Sequence, residues 1–154
     1  MANTTTKTGA VMVVGGGIAG IQSALDLAEM GFYVYMVEKG PAIGGRMAQL
    51  DKTFPTNDCS ICMISPKLND VGGHINIEIL TLTDVLSVTG QEGDFTVSLR
   101  QNPRYIDMSK CIACGVCADK CPKKVDNYFN ENVDKRKAIY VEYAQAVPLK
   151  FSIN

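Results

Sequence analysis

The apolar residues of this chain change their period twice. Residues 10–14, Ala-Val-Met-Val-Val, form an unbroken apolar run, the pattern of a parallel strand buried on both faces. Ile18, Ile21, Ala24, Leu25 and Ala28 then recur at the spacing of one helical face, with Asp26 and Glu29 elsewhere and Gly31 as a left-handed stop. This predicts a helix over roughly 17–30. A second apolar run, Tyr33 to Val37, ends in Glu38. From residue 75 the period becomes two: Ile75, Ile77 and Ile79 alternate, as do Phe95, Val97 and Leu99 beyond a Gly90-to-Gly93 turn. A β-meander is expected there. Two more strand-like runs, Ala138 to Tyr143 and Val147 to Ile153, close the chain, with Pro148 tolerable on an edge. A doubly wound nucleotide domain needs about five strands, and only two are visible before the meander, so a fragment or a subunit completed by a partner is expected.

Chemistry enters between the first two runs, where Gly15-Gly16-Gly17-Ile18-Ala19-Gly20 contains G-x-G-x-x-G. Gly15 permits a tight turn, Gly17 lets the backbone approach a pyrophosphate at the positive helix end, and Gly20 lets helix and strand pack closely. Alone, such a turn is only a turn. Here strand, helix, second strand and terminal acid are all in place, with Glu38 eighteen residues after Gly20 and set to accept from a ribose diol. Lys39 stands beside it. Gly44-Gly45-Arg46 resembles the second glycine motif of the glutathione-reductase-like flavoproteins, which favours FAD over NAD. Gly15, Gly17, Ile18, Ala19, Gly20, Glu38, Lys39, Gly44, Gly45 and Arg46 are the candidate FAD-binding residues.

The cysteines carry the second chemistry. Cys111, Cys114, Cys117 and Cys121, followed by Pro122, match C-x2-C-x2-C-x3-C-P at every spacing, the bacterial ferredoxin pattern for a [4Fe–4S] cluster. A zinc site would more often use two separated pairs. In two-cluster ferredoxins the fourth cysteine ligates the other cluster, and no second run follows; either a ligand is missing or Cys121 folds back. Cys59 and Cys62 form a further C-x-x-C, open to reading as a dithiol exchanging electrons with flavin, as two ligands of another cluster, or as buried core thiols. Lys52 and Lys67 stand near enough in sequence to lower a thiol pKa. His74, the single histidine, follows two glycines in an expected loop and reads as solvated rather than as a ligand.

Bulk properties narrow the partners. Fifteen basic and sixteen acidic side chains give a net charge of −1, which provides no field for nucleic acid or an anionic membrane. The start is polar, and no apolar run approaches the length of a membrane span; a cytoplasmic location is expected, without direct membrane insertion. In that setting clustered cysteines bind metal or do redox chemistry rather than staple a fold.

With these residues in view, the chain resembles the A-type flavoprotein subunit of heterodisulfide reductase, including its relatives in sulfate-reducing bacteria. The resemblance covers residues 10–153 and rests on the 14–22 glycine turn, on Ile43 to Thr56 with the cysteine pair, on Arg104-Tyr105, on the cluster run, and on Arg136 to Ile139 and Gln145 to Pro148. It implies an α/β fold: a Rossmann-like FAD unit of thioredoxin-reductase type, interrupted by an inserted ferredoxin-like α+β segment. It also implies an oxidoreductase active within a complex, passing electrons among flavin, clusters and B- and C-like partner subunits. The chain departs from that family in lacking the extra N-terminal domain of the longer methanogen subunits and in ending where a second cluster run and the rest of the FAD domain would follow. The expected division is a disordered 1–9, a partial FAD-binding domain over 10–103 and a partial cluster segment over 104–154. Two alternatives stay open: a non-catalytic cluster-carrying scaffold with a vestigial glycine turn, and a stand-alone flavin disulfide reductase using Cys59 and Cys62.

Overall fold

A computed structural model describes residues 9–153; the expectation of disorder over 1–9 falls, apart from Gly9, outside them. Strand β1 (Ala10–Val14), helix α1 (Ile18–Glu29) and strand β2 (Tyr33–Val37) form a βαβ unit. Its strands run parallel in the register Ala10↔Tyr33 to Val14↔Val37. The helix matches the predicted span to within a residue at each end, where assignments ordinarily differ. It stops where expected: Gly31, at φ +91°, donates its amide to the Ala28 carbonyl at 3.0 Å.

The middle of the chain departs from the expected meander. After a short helix α2 (Gly45–Gln49) comes a fourteen-residue helix α3 (Ser60–Gly73) that the apolar pattern did not announce. It buries Ser60, Ile64, Leu68 and Val71, a helical stripe interrupted in sequence by Pro66. Strand β3 (Ile77–Leu80) then pairs parallel with β2, Val34 opposite Ile77, giving the order β1-β2-β3. The alternating isoleucines therefore supply a third strand of the nucleotide sheet rather than the first arm of a meander, and Ile75 lies exposed before it. Of the expected meander only β4 (Thr83–Gln91) and β5 (Asp94–Gln101) pair antiparallel, as a single hairpin. His74 is not in a free loop: it caps α3, and its Nδ1 accepts the Asn76 amide at 3.1 Å.

One core results. Ile21, Val34, Met36, Ile43 and Ile64 are each 0% exposed, between α1 and α3 on one face of the sheet. Tyr33 and Tyr35, the alternate residues of β2, are partly exposed and meet edge to face with centroids 5.1 Å apart.

Beyond residue 104 the elements shrink. They are α4 (Val116–Lys120), β6 (Lys124–Asp126), a 3-10 turn over Tyr128–Asn130, β7 (Lys135–Lys137), β8 (Ile139–Tyr140) and β9 (Ser152–Ile153). The two long strands expected at the end reduce to two-residue ribbons, because the residues between them serve other contacts. Val147 bridges to Ile43 and packs against the main core, and Pro148 lies outside any strand. Among the described residues, no helix is long and apolar enough to cross a membrane.

Candidate functional site

The two glycine motifs, separated in sequence, are joined backbone to backbone. Gly15, at φ +99°, turns the chain out of β1. A β-carbon on Gly20 would run into the Gly15 carbonyl oxygen, so only glycine lets α1 approach this closely. Gly17 caps α1, and a β-carbon there would meet nothing within 4 Å. The first-turn amides at Ile18 and Ala19, which have no intrahelical partner, face no side chain from Gly17. The second motif lies directly against this turn. Gly44 donates its amide to the Gly16 carbonyl at 2.7 Å, and a β-carbon on Gly45 would sit 2.9 Å from the Gly17 Cα. A cradle that any β-carbon would fill, at the positive end of a helix, suits a diphosphate. The residues present therefore fit FAD.

Glu38 is fixed beside the cradle. Its Oε2 accepts from the Gly16 amide at 2.7 Å and its Oε1 from the Gly40 amide at 2.6 Å. Each oxygen keeps a lone pair for a ribose hydroxyl. Lys39 is exposed next to it. Arg46, also exposed, pairs with Glu131 and donates to Gln49 at 3.0 Å.

Two residues that periodicity could not single out hold this loop in place. Arg104 is 7% exposed; its Nη2 donates to the Pro41 carbonyl at 2.6 Å and to Thr81 Oγ1 at 2.8 Å, and its Nη1 to the Lys150 carbonyl at 3.4 Å. Desolvation lowers its pKa, opposed by Tyr140 and Cys111. Tyr143 donates its hydroxyl to the Ile43 carbonyl, and a β-carbon on Gly44 would strike that hydroxyl. Burial, then the charge of Glu142, raises its phenol pKa and keeps it a donor. Arg104 was visible in the sequence only within a resemblance; Tyr143 carried no signal.

In the cysteine run all four thiols are free. Left-handed turns at Ala113 (φ +57°) and Gly115 (φ +85°) wrap the chain between them. The outer two are held. The Phe151 amide donates to Cys111 Sγ at 3.5 Å, and this bond leads the causes that lower the Cys111 pKa, with Ala113, Lys150 and Arg104 adding to it against desolvation. The Ile139 amide, with Lys123, Ala138 and Lys137, does the same for Cys121. Lys150 and Lys137 donate to the carbonyls of Cys111 and Cys121 at 2.6 and 2.7 Å. Cys114 and Cys117 are exposed. Among the described residues no three Cys, His, Asp or Glu side chains converge as a single bound ion requires; a cubane asks instead for one thiolate on each of four irons. Four soft donors, with amides aimed at the sulfurs of Cys111 and Cys121, fit that group in kind.

Cys59 and Cys62 are joined as a disulfide with Cα atoms 5.3 Å apart, Cys59 capping α3. Cys62 is exposed, so the pair is not a set of buried core thiols. Lys67 bonds to Gln22, and Lys52 meets Cys59 through a backbone bridge.

Comparison with known proteins agrees with this geometry. Residues 10–62 match the model of the FAD dependent oxidoreductase family and residues 104–125 that of the 4Fe-4S binding domain. The second of the A-type iron-sulfur subunits of CoB--CoM heterodisulfide reductase in Methanopyrus kandleri is 56% identical over 95% of this chain and 22% of that protein. The A-type component of the H(2):CoB-CoM heterodisulfide,ferredoxin reductase of Methanothermobacter thermautotrophicus is 54% identical over 93% and 22%. An Archaeoglobus profundus protein described as like the A-type component of heterodisulfide reductase is 51% identical over 94% and 21%. The chain thus spans about a fifth of the length of the curated relatives it matches. Among solved structures, the L-proline dehydrogenase of P. horikoshii is 28% identical, with a TM-score of 0.49, over 58% of this chain and 18% of that one.

Proposed function

We propose, because the chain belongs to the family of A-type heterodisulfide reductase subunits, that it is an electron-transfer flavo-iron–sulfur segment of an oxidoreductase that works within a larger complex. Its partners in this reading are B- and C-like subunits or other redox proteins, and its compartment is the cytoplasm. When bound, the flavin handles electron pairs and the cluster single electrons, with potentials set by the surrounding protein. Gly15 and Gly17 leave the backbone open to the diphosphate, and Gly20, Gly44 and Gly45 allow the close packing that shapes the cradle. Ile18 and Ala19 offer amides to it, and Arg46 and Lys39 stand at its rim. Glu38 orients the ribose. Cys111, Cys114, Cys117 and Cys121 hold the cluster, and the amides on Cys111 and Cys121 favour their thiolate forms.

The observation that carries this reading is the backbone joint between Gly16 and Gly44, beside which Tyr143 of the cysteine segment donates to the Ile43 carbonyl. It supports reading the glycine turns and the cysteine run as parts of one folded unit. Anaerobic purification with iron, sulfide and flavin quantified on one sample tests it. About four irons and one FAD per chain are expected. Zinc in place of iron, or a colourless protein without nucleotide, overturns it.

The disulfide between Cys59 and Cys62 favours a second reading, a dithiol that exchanges electrons with the flavin. Cys59→Ser then abolishes disulfide reduction and spares the cluster spectrum; reduction that survives the substitution excludes the dithiol.

A further inference from the structure

Between the tip of β2 and the cysteine segment lies a pocket of about 240 Å³, lined in part by Glu38, Arg46, Phe129, Glu142 and Tyr143. Whole small-molecule ligands occupy pockets of roughly 300–1,000 Å³, so this one suits a portion of a larger molecule. Its chemistry selects which portion. Two carboxylates, Glu38 and Glu142, lie in its walls, while Arg46 is engaged with Glu131. Carboxylates in a pocket wall repel a phosphate and accept from hydroxyl and amino groups. A nucleoside meets that requirement.

The walls are rigid where a nucleoside needs them. Phe129 and Tyr143 stack with centroids 5.4 Å apart and planes 19° from parallel, a flat surface for a purine. Glu142, 9% exposed, accepts from Arg136 at 3.1 Å and from the Tyr128 hydroxyl at 2.9 Å, both through Oε2. Its Oε1 remains able to accept. Arg136 is clamped in turn, its guanidinium 3.5 Å from the Tyr140 ring centroid and 4.2 Å from that of Tyr128. Glu38, also in the lining, is bonded to the Gly16 amide, one residue from the phosphate cradle at Gly17. A nucleoside seated here is therefore contiguous with a diphosphate at α1.

With Glu38 on the ribose, as in the reading above, the adenosine of FAD faces this pocket; we propose that Phe129 and Glu142 of the cysteine segment form its outer wall, so that the fold of that segment sets how tightly FAD, but not FMN, is held. The inference rests on the FAD reading above and adds to it Phe129 and Glu142 as positioning residues and a coupling between cluster loading and dinucleotide affinity. By linkage, FAD then favours cluster retention by the same factor.

The test titrates the protein with FAD and with FMN, following quenching of flavin fluorescence, before and after anaerobic reconstitution with iron and sulfide. Phe129→Ala is expected to weaken FAD about tenfold, the range of one lost stacking contact, and to leave FMN unchanged; Phe129→Tyr restores it. Glu142→Gln, nearly isosteric, shifts the same FAD-to-FMN ratio in the same direction and serves should Phe129→Ala fail to fold. Reconstitution tightens FAD alone. Equal losses for FAD and FMN, or no change in their ratio, overturn the proposal while leaving the FAD reading intact. A wild-type protein that takes up iron but binds no FAD overturns that reading itself.

Discussion

Between residues 10 and 80 the chain buries Ile21, Val34, Met36, Ile43, Ile64, Leu68 and Val71 almost completely behind a three-stranded sheet. Between 104 and 153 it has strands of two or three residues, and its buried set is short: Arg104, Cys121, Ala138, Tyr140, Ala146, Phe151 and Ser152. The first region carries enough apolar burial to account for its order. The second does not, and small segments of that kind ordinarily depend on metal bonds, disulfides or docking. Here the cysteine run is proposed to take iron, and Arg104, Tyr143 and Val147 fasten the segment to the first core. Two regions of one chain thus differ in how much of their order apolar burial explains.

That contrast is sharpest under loss of iron. Chelation of the holoprotein is expected to raise amide exchange across residues 105–137 more than about a hundredfold and that of α1 and β2 less than about threefold; a uniform rise sinks the contrast. Ile64→Ala works from the other side. Removing a side chain that is 0% exposed costs about 3 kcal/mol, read as a lower urea midpoint, with iron content unchanged under native conditions. Arg104→Met strikes the seam and blurs the contrast. It deprives the Pro41 carbonyl and Thr81 of their donor, costs about 2 kcal/mol, and raises exchange on both sides of the seam together. The smallest effect belongs to the surface. Asp126 and Lys135 are 69% and 64% exposed and pair at 2.7 Å, a contact largely screened by water and salt. Asp126→Asn shifts Tm by less than about 2 °C, and a larger drop in a scanning calorimeter would show that the β6–β7 hairpin relies on it.

The same difference decides what was legible in the sequence. Helix α1 and strands β1 and β2 follow from apolar period and glycine placement, because burial dictates both. The isoleucines of β3 also announced a strand; their period fixed its two faces but not its neighbour, which depends on where α3 returns the chain. Helix α3 went unanticipated although Ile64, Leu68 and Val71 keep helical spacing, since Pro66 and the cysteine pair draw attention to other chemistry. Past residue 104 the pattern predicted long strands and failed. Val147 is apolar because it reaches Ile43 and the main core, not because it continues a sheet. The spacing of the cysteine run pointed to a 4Fe-4S domain, and residues 104–125 match that family. Tyr143 and Glu142 had no such code: each matters through a partner about a hundred positions away or through a neighbouring ring.

Arg104 has a practical consequence for anyone who would divide this polypeptide. Trimming after residue 103 keeps every glycine of both nucleotide motifs, yet it removes the guanidinium that ties the loop behind Glu38 to the end of β3. The excised half would carry the recognisable signature and lack its fastening, so weak coenzyme uptake by such a truncation would report the missing bolt rather than a defective cradle.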